Sequence, residues 1–188
     1  IILPNSSQRK QFYFHIYDKL LRNGYQQISV WGFLKQGKTK YSSVTRDYYL
    51  GLGPSAASYT GKQFLFNSFN STHYHHQIDT GKIPYSMVME VSENLEKLFW
   101  IYWRLYETKI PLKDYTEKFS ADFKKDYPNM VTVLNALKYT NPIQDCISLN
   151  KKGIHRIHLL QNHFALNYVN QIWSASTQTS PPKKIILS

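Results

Sequence analysis

Near the N-terminus apolar residues recur at helical spacing, Phe12, Ile16 and Leu20, with Tyr13, Tyr17 and Leu21 beside them. That period lays one broad apolar stripe along a helix. Asn5 to Ser7, after Pro4, can cap it, and Asn23-Gly24 stops it. From Gln26 to Phe33 the period falls to two: Ile28, Val30 and Gly32 alternate with Ser29, Trp31 and Phe33, the pattern of a strand. A helix, a short loop and a strand rich in β-branched and aromatic residues form the closing unit of an α/β repeat. Such a unit alone would lack sheet neighbours, so further sequence upstream is expected. Leu34 to Arg46 is polar and basic and reads as a loop. Tyr48 to Leu50 fits a short buried strand, ended by Gly51-Leu52-Gly53-Pro54 and the small residues Ser55, Ala56, Ala57 and Ser58. Gln63 to Phe66 alternates as an edge strand does, and His73-Tyr74-His75-His76 opens an exposed helix running to Thr80 and stopped by Gly81.

After Pro84 the pattern becomes helical. Ser92 caps a helix whose first turns carry Glu93 and Glu96, where the helix dipole favours acids. Leu95, Leu98, Phe99, Tyr102, Leu105 and Tyr106 make its expected buried face. Pro111 starts a second helix with Leu112, Tyr115, Phe119 and Phe123, and Pro128 a third with Met130, Val133, Leu134 and Leu137, broken by Pro142. Cys146 to Leu149 is a short strand. Asn150-Lys151-Lys152-Gly153 then leads into a long helix carrying Ile157, Leu160, Phe164, Tyr168 and Ile172. Three helices, a strand and a helix resemble a winged-helix arrangement. The fold class expected is α+β, divided into an α/β part over 1–84, a mainly helical part over 85–175 and a flexible tail over 176–188.

Composition narrows the classes. At 188 residues, with 42% hydrophobic and 15% aromatic side chains, the chain can bury a real core and is not of the disordered type. No apolar run approaches the roughly 20 residues of a membrane span, and no signal-peptide pattern opens the chain. A cytoplasmic location is the expectation. The chain opens on Ile1 rather than Met, as expected of a piece of something longer. The net charge is +11, with +7 in residues 1–84 and +4 in residues 85–188. A basic surface attracts nucleic acid, anionic membrane or a small polyanion. No block of five Lys or Arg occurs, and the excess lies away from residues 111–173, where a winged helix would read DNA; nucleic acid is the weakest of the partner readings. The single cysteine, Cys146, excludes an internal disulfide and a multi-cysteine metal site within the chain.

Candidate chemistry centres on Asp47-Tyr-Tyr-Leu-Gly-Leu-Gly-Pro-Ser-Ala-Ala-Ser58. Gly51 and Gly53 lack Cβ, so a ligand or another backbone can come close, and the N–H groups of the small residues that follow can face an anion. The ordinary alternative is a tight connection packed against a neighbour. His73, His75 and His76 have no acidic or cysteine partner at the spacing of a closed metal site, so no metal site is assigned.

Taken together, Gly24-Tyr25 before a strand, the run Asp47 to Ala56, and a helical tail closing on Leu149-x-x-x-Gly153 resemble the C-terminal portion of the HemN-like radical SAM proteins. That group holds anaerobic coproporphyrinogen dehydrogenase, the haem chaperone HemW and the haem-degrading methyltransferases HutW and ChuW. The resemblance runs over residues 3 to 173. Ser29-Val-Trp-Gly-Phe33 and Gly53-Pro-Ser-Ala-Ala-Ser58 resemble the HutW type most. The strand sequence Glu-Ile-Ser-Asn of the other two types reads Gln27-Ile28-Ser29-Val30 here. The family's Leu-Thr-x-x-Gly reads Leu149-Asn150-Lys151-Lys152-Gly153, and Asn caps a helix about as well as Thr.

The resemblance implies the last strands of a partial β/α barrel followed by a helical, winged-helix-like domain. It also implies S-adenosylmethionine and a [4Fe–4S] cluster in the full-length protein, oxidoreductase or methyltransferase chemistry on haem or a related porphyrin, and an upstream barrel of the same polypeptide as partner. No Cys-x3-Cys-x2-Cys is present, and one cysteine cannot hold such a cluster. By the match to the Gly-rich motif, Gly51, Gly53, Ser55 and Ala57 would border S-adenosylmethionine or the tetrapyrrole. Trp31 and Phe33 would stack on a flat macrocycle and Arg46 would meet a propionate. Beside these stand ordinary roles: Trp31 in the core, Arg46 as a solvated loop charge. The other function expected is non-catalytic, haem binding or trafficking of the HemW type.

Overall fold

The computed structural model describes residues 3–40, 47–166, 170, 171 and 174. Helix α1 (Ser6–Arg22) begins in a capping box: Gln8 N donates to Asn5 Oδ1 at 2.9 Å and Asn5 N to Gln8 Oε1 at 2.9 Å. Asn23 Nδ2 closes its far end on Lys19 O, and Gly24 follows at φ 77°. The face that packs is carried by Tyr13 and Tyr17. Of the broad stripe expected here, Tyr13 is buried and Tyr17 and Leu20 are half-buried, whereas Phe12, at 55% exposure, and Ile16 face outward.

The expected strand from Gln26 to Phe33 is instead a hairpin. Strands β1 (Tyr25–Gln27) and β2 (Phe33–Lys35) pair antiparallel with Gln27 opposite Phe33. The turn between them is closed by Ile28 N to Gly32 O and by Gly32 N to the Ser29 hydroxyl. A Cβ at Gly32 would lie 2.6 Å from that hydroxyl oxygen, so the glycine is what lets the chain reverse there.

The run Tyr48 to Leu50, expected as a buried strand, is exposed and makes only a bridge between Tyr49 and Tyr59. Strands β3 (Ala57–Tyr59) and β4 (Gln63–Asn67) follow, then α2 (Ser71–Asp79), capped by Asn70 Oδ1 on His73 N. The chain does not turn helical after Pro84: Tyr85–Glu90 is a strand, β5. The order β3-β4-β5, antiparallel throughout, makes β4 the central strand rather than an edge.

Helix α3 (Glu93–Tyr106) starts at Ser92, whose Oγ receives Leu95 N at 3.3 Å. Trp100, Ile101 and Leu105 are its buried residues, while Leu95 and Leu98 are exposed. Strand β6 (Lys109–Pro111) leads into α4 (Leu112–Phe119). Ser120, left-handed at φ 51°, ends that helix, so Phe123 belongs to a separate short helix, α5 (Phe123–Asp126). Pro128 sits at the first position of α6 (Pro128–Ala136), as a proline is tolerated to do. Strands β7 (Thr140–Asn141) and β8 (Cys146–Leu149) complete a three-stranded sheet in the order β6-β8-β7, and α7 (Lys151–Phe164) follows.

Two compact units result, one from Ile1–Thr45 and Ile101–Leu160, the other from Arg46–Trp100 and Gln161–Ser188. In the first, Ile110, Tyr115, Phe123, Leu134, Leu149 and Ile154 are buried, and the Tyr115 hydroxyl donates to Asp126 at 2.7 Å. Asn150 joins two of its elements. Its Oδ1 receives Lys152 N and Gly153 N at 3.0 Å, capping α7, while its Nδ2 donates to Lys138 O at 2.8 Å. A Cβ on Gly153 would stand 2.2 Å from Tyr139 O, which explains the glycine at the end of Leu149-x-x-x-Gly153. In the second unit Tyr59 stacks on Phe64, and Phe99 packs against both, tilted to the one and edge-on to the other, with ring centroids 4.4 to 5.1 Å apart. Among the described residues no helix is long and apolar enough to cross a membrane.

Candidate functional site

The Gly-rich turn lies in the second unit and is held by its own hydrogen bonds. Gly51 N donates to Ser58 Oγ at 3.0 Å, Gly53 N to the Tyr74 hydroxyl at 3.3 Å, and Ser55 N to Ser68 O at 3.0 Å. Ala56 N turns back to Gly53 O at 3.4 Å. Asn67 Nδ2 spans the turn, reaching Gly51 O at 3.3 Å and Gly53 O at 2.9 Å. All four N–H groups are therefore engaged within the unit, those of Ser55 and Ala56, expected to face an anion, among them.

The two glycines are there for different reasons. A Cβ at Gly51 would lie 2.2 Å from Ala57 O, so the close approach is to the chain's own backbone. At Gly53 nothing is within 4 Å of such a Cβ, and the requirement is conformational, φ 96°. Ser55 is left-handed too, at φ 60°. Leu50 and Leu52, flanking Gly51, are 72% and 82% exposed, so the turn presents an apolar rim.

Trp31 and Phe33 belong to the first unit. Trp31 sits in the β1–β2 turn and is 54% exposed, yet it is held on two sides. Its ring stands edge-on to Tyr13 at 4.9 Å and to His158 at 5.5 Å, and its Nε1 donates to His158 Nε2 at 3.0 Å. Tyr13 is anchored in turn: its hydroxyl donates to Val30 O at 2.9 Å and receives Gln27 Nε2 at 3.1 Å. Burial pushes that phenol up to about 12, with the Gln27 hydrogen bond acting the other way. Val30 N closes the arrangement on Tyr106 O at 2.9 Å. Phe33, half-buried on β2, meets Tyr17 edge-on at 6.1 Å. Arg46 lies outside the described residues.

Sequence reasoning missed His158 and His155. Burial lowers both imidazoles below the usual 6.5, His155 further through the charges of Lys10 and Arg156 and through His158. Nothing near Trp31 in the sequence points to them. They stand at i, i+3 on α7, a spacing that places them on one face. The first unit also carries a cavity of about 550 Å³ lined by Leu112, Lys124, Leu134, Lys138 and Cys146 among others; none of the expected site residues lines it. Burial raises the Cys146 thiol, against the charge of Lys109. Among the described residues no three His, Cys, Asp or Glu side chains gather where they could hold a metal ion. Lone Cys146 does not fit a [4Fe–4S] cluster, which needs several thiolates.

No protein-family model matches this sequence, and no curated protein matches it. The fold is a mixed α/β one, small antiparallel sheets with seven helices among the described residues. A solved structure that it resembles is coproporphyrinogen III oxidase (HemN) from Escherichia coli, a radical SAM enzyme, with a TM-score of 0.58 and 16% identity. The likeness covers 86% of this chain and 42% of that one, so this chain spans less than half of that enzyme's length. At that identity it is a likeness of fold.

Proposed function

We propose that this chain is the C-terminal part of a HemN-like radical SAM protein of the HutW type, acting on haem or a related porphyrin in the cytoplasm. The observation that carries the reading is the fold likeness, which takes in 86% of the chain and leads to an enzyme of porphyrin chemistry. Its role there is to close the barrel and shape the wall of the pocket. Residues 1–84 supply the barrel end and 85–175 the helical domain, while the tail expected over 176–188 lies outside the described residues.

In this reading the turn at Gly51, Gly53, Ser55 and Ala57 borders S-adenosylmethionine or the tetrapyrrole through its shape and its apolar rim, since its N–H groups are engaged. Trp31 and Phe33 offer aromatic surface to the macrocycle and Arg46 meets a propionate. The cluster that would cleave S-adenosylmethionine into a radical needs cysteines from an upstream barrel of the same polypeptide, and no step through it is assigned to these residues. The exposed aromatic surface of Trp31 suits equally a second reading, a haem carrier of the HemW type in which the pocket serves binding without turnover.

The test is a titration of this chain with coproporphyrin III and with haem, followed at the Soret band. Saturable binding weakened by Trp31→Ala is expected. Absence of any saturable shift with either tetrapyrrole would sink both readings. Cleavage of S-adenosylmethionine by the natural full-length product separates enzyme from carrier.

A further inference from the structure

An exposed tryptophan is ordinarily free to change rotamer. Trp31 is 54% exposed and is nevertheless fixed by a hydrogen bond at its indole nitrogen and by edge contacts with two rings. The turn that carries it is closed by Ser29, Gly32 and the fully buried Val30. More than half of the residue's surface thus stays open to solvent while its orientation is set beforehand, the arrangement that lowers the ordering cost of stacking a flat ligand. The structure assigns to His158 the role of a positioning residue that holds Trp31 as a preformed stacking platform for a planar ligand and releases it on protonation.

The chemistry follows from the two nitrogens of one ring. His158 Nε2 accepts the indole N–H at 3.0 Å, so in the neutral imidazole the proton sits on Nδ1. That Nδ1 is buried and has no hydrogen-bond partner. A second proton would have to go to Nε2, where it meets the indole N–H head-on, and the cation would have neither nitrogen satisfied. The ring must then swing away, and Trp31 loses its anchor. Titratable groups surround it on three elements. On α7 stands His155, with Lys10 and Arg156 bearing on it, on α1 the Tyr13 phenol, and on α3 the Tyr106 ring at 6.5 Å. The lowered basicity of His158, caused by burial, agrees.

The latch itself rests on this geometry; its use for a tetrapyrrole rests on the function proposed above. The experiment follows the emission of Trp31, taken as the difference between the natural chain and Trp31→Phe, from about pH 8 to about pH 5. A transition with its midpoint below 6.5 is expected. His158→Gln, whose amide oxygen still accepts but does not titrate, should hold Trp31 and flatten the curve. In parallel, the His158 ring followed by NMR should titrate closer to 6.5 in Trp31→Phe. Coproporphyrin III should bind about tenfold more weakly on the acid side, and in His158→Gln this pH dependence should vanish. A His158→Gln curve identical to that of the natural chain, or a His158 titration unmoved by Trp31→Phe, overturns the latch. Porphyrin binding indifferent to Trp31→Phe overturns the platform. Should coproporphyrin III fail to bind at any pH while the emission transition is present and lost in His158→Gln, the tetrapyrrole reading falls and the latch stands.

Discussion

A single methyl group separates the two glycines of the central turn. Gly51→Ala drives a Cβ into Ala57 O, and the backbone there must move; about 1–3 kcal/mol of lost stability is expected in urea titration. Gly53→Ala meets no atom and costs only the left-handed backbone, about 1–2 kcal/mol. If Gly51→Ala proves the milder of the two, the close approach to Ala57 is not what the glycine is for. Both glycines were legible in the sequence as positions where a side chain is not tolerated. What a Cβ would collide with was not, because Ala57 reaches Gly51 only through the bridge between Tyr49 and Tyr59. The same holds for Trp31. Its aromatic surface is written in the chain, whereas its partner His158 lies 127 residues away.

At the scale of elements, ends were read better than faces. The cap at Asn5, the stop at Gly24, the cap at Ser92, the proline at the start of α6 and the cap at Asn150 all stand where the residues put them. Asn150→Ala should cost about 1 kcal/mol for the cap, plus the Nδ2 bond to Lys138 O, while Asn150→Ser restores only the cap. Thermal unfolding of the two variants checks this, and equal melting temperatures would count against the bond to Lys138. Faces and pairings went differently. Phe12 and Ile16 face out because Tyr13 is the residue that Val30 and Gln27 bind. The strand expected from Gln26 to Phe33 folds back because the Ser29 hydroxyl and Gly32 close a turn inside it. The alternation Phe64, Phe66 marked β4 as a strand; its central place came from β5, which pairs with it on the far side from β3.

Across the whole molecule, burial of ionisable rings sets the pH range of stability. Tyr13, Tyr59 and Tyr115 all have phenols pushed above their ordinary 10.0, in each case mainly by burial. The neutral phenol is the folded form, so its contribution is complete below about pH 10 and is lost as the pH rises beyond it. Tyrosinate absorbance should therefore show a late group that ionises together with loss of the circular dichroism signal; smooth titration of every tyrosine before unfolding would contradict this. On the acid side His155 and His158 are neutral in the fold, and stability should decline as the pH falls below about 6.5, where the unfolded chain takes up protons first. The sequence alone determined where several helices begin, where glycine is obligatory, and that one cysteine cannot carry a cluster, because capping, backbone conformation and ligand count act within a few residues or need only a count. Tertiary structure alone decided which face of α1 is buried, that β1 and β2 form a hairpin, that the turn's N–H groups are engaged, and that Trp31 meets His158. The first and last depend on partners brought from far along the chain, and the other two on hydrogen bonds whose pairing the hydrophobic pattern does not encode.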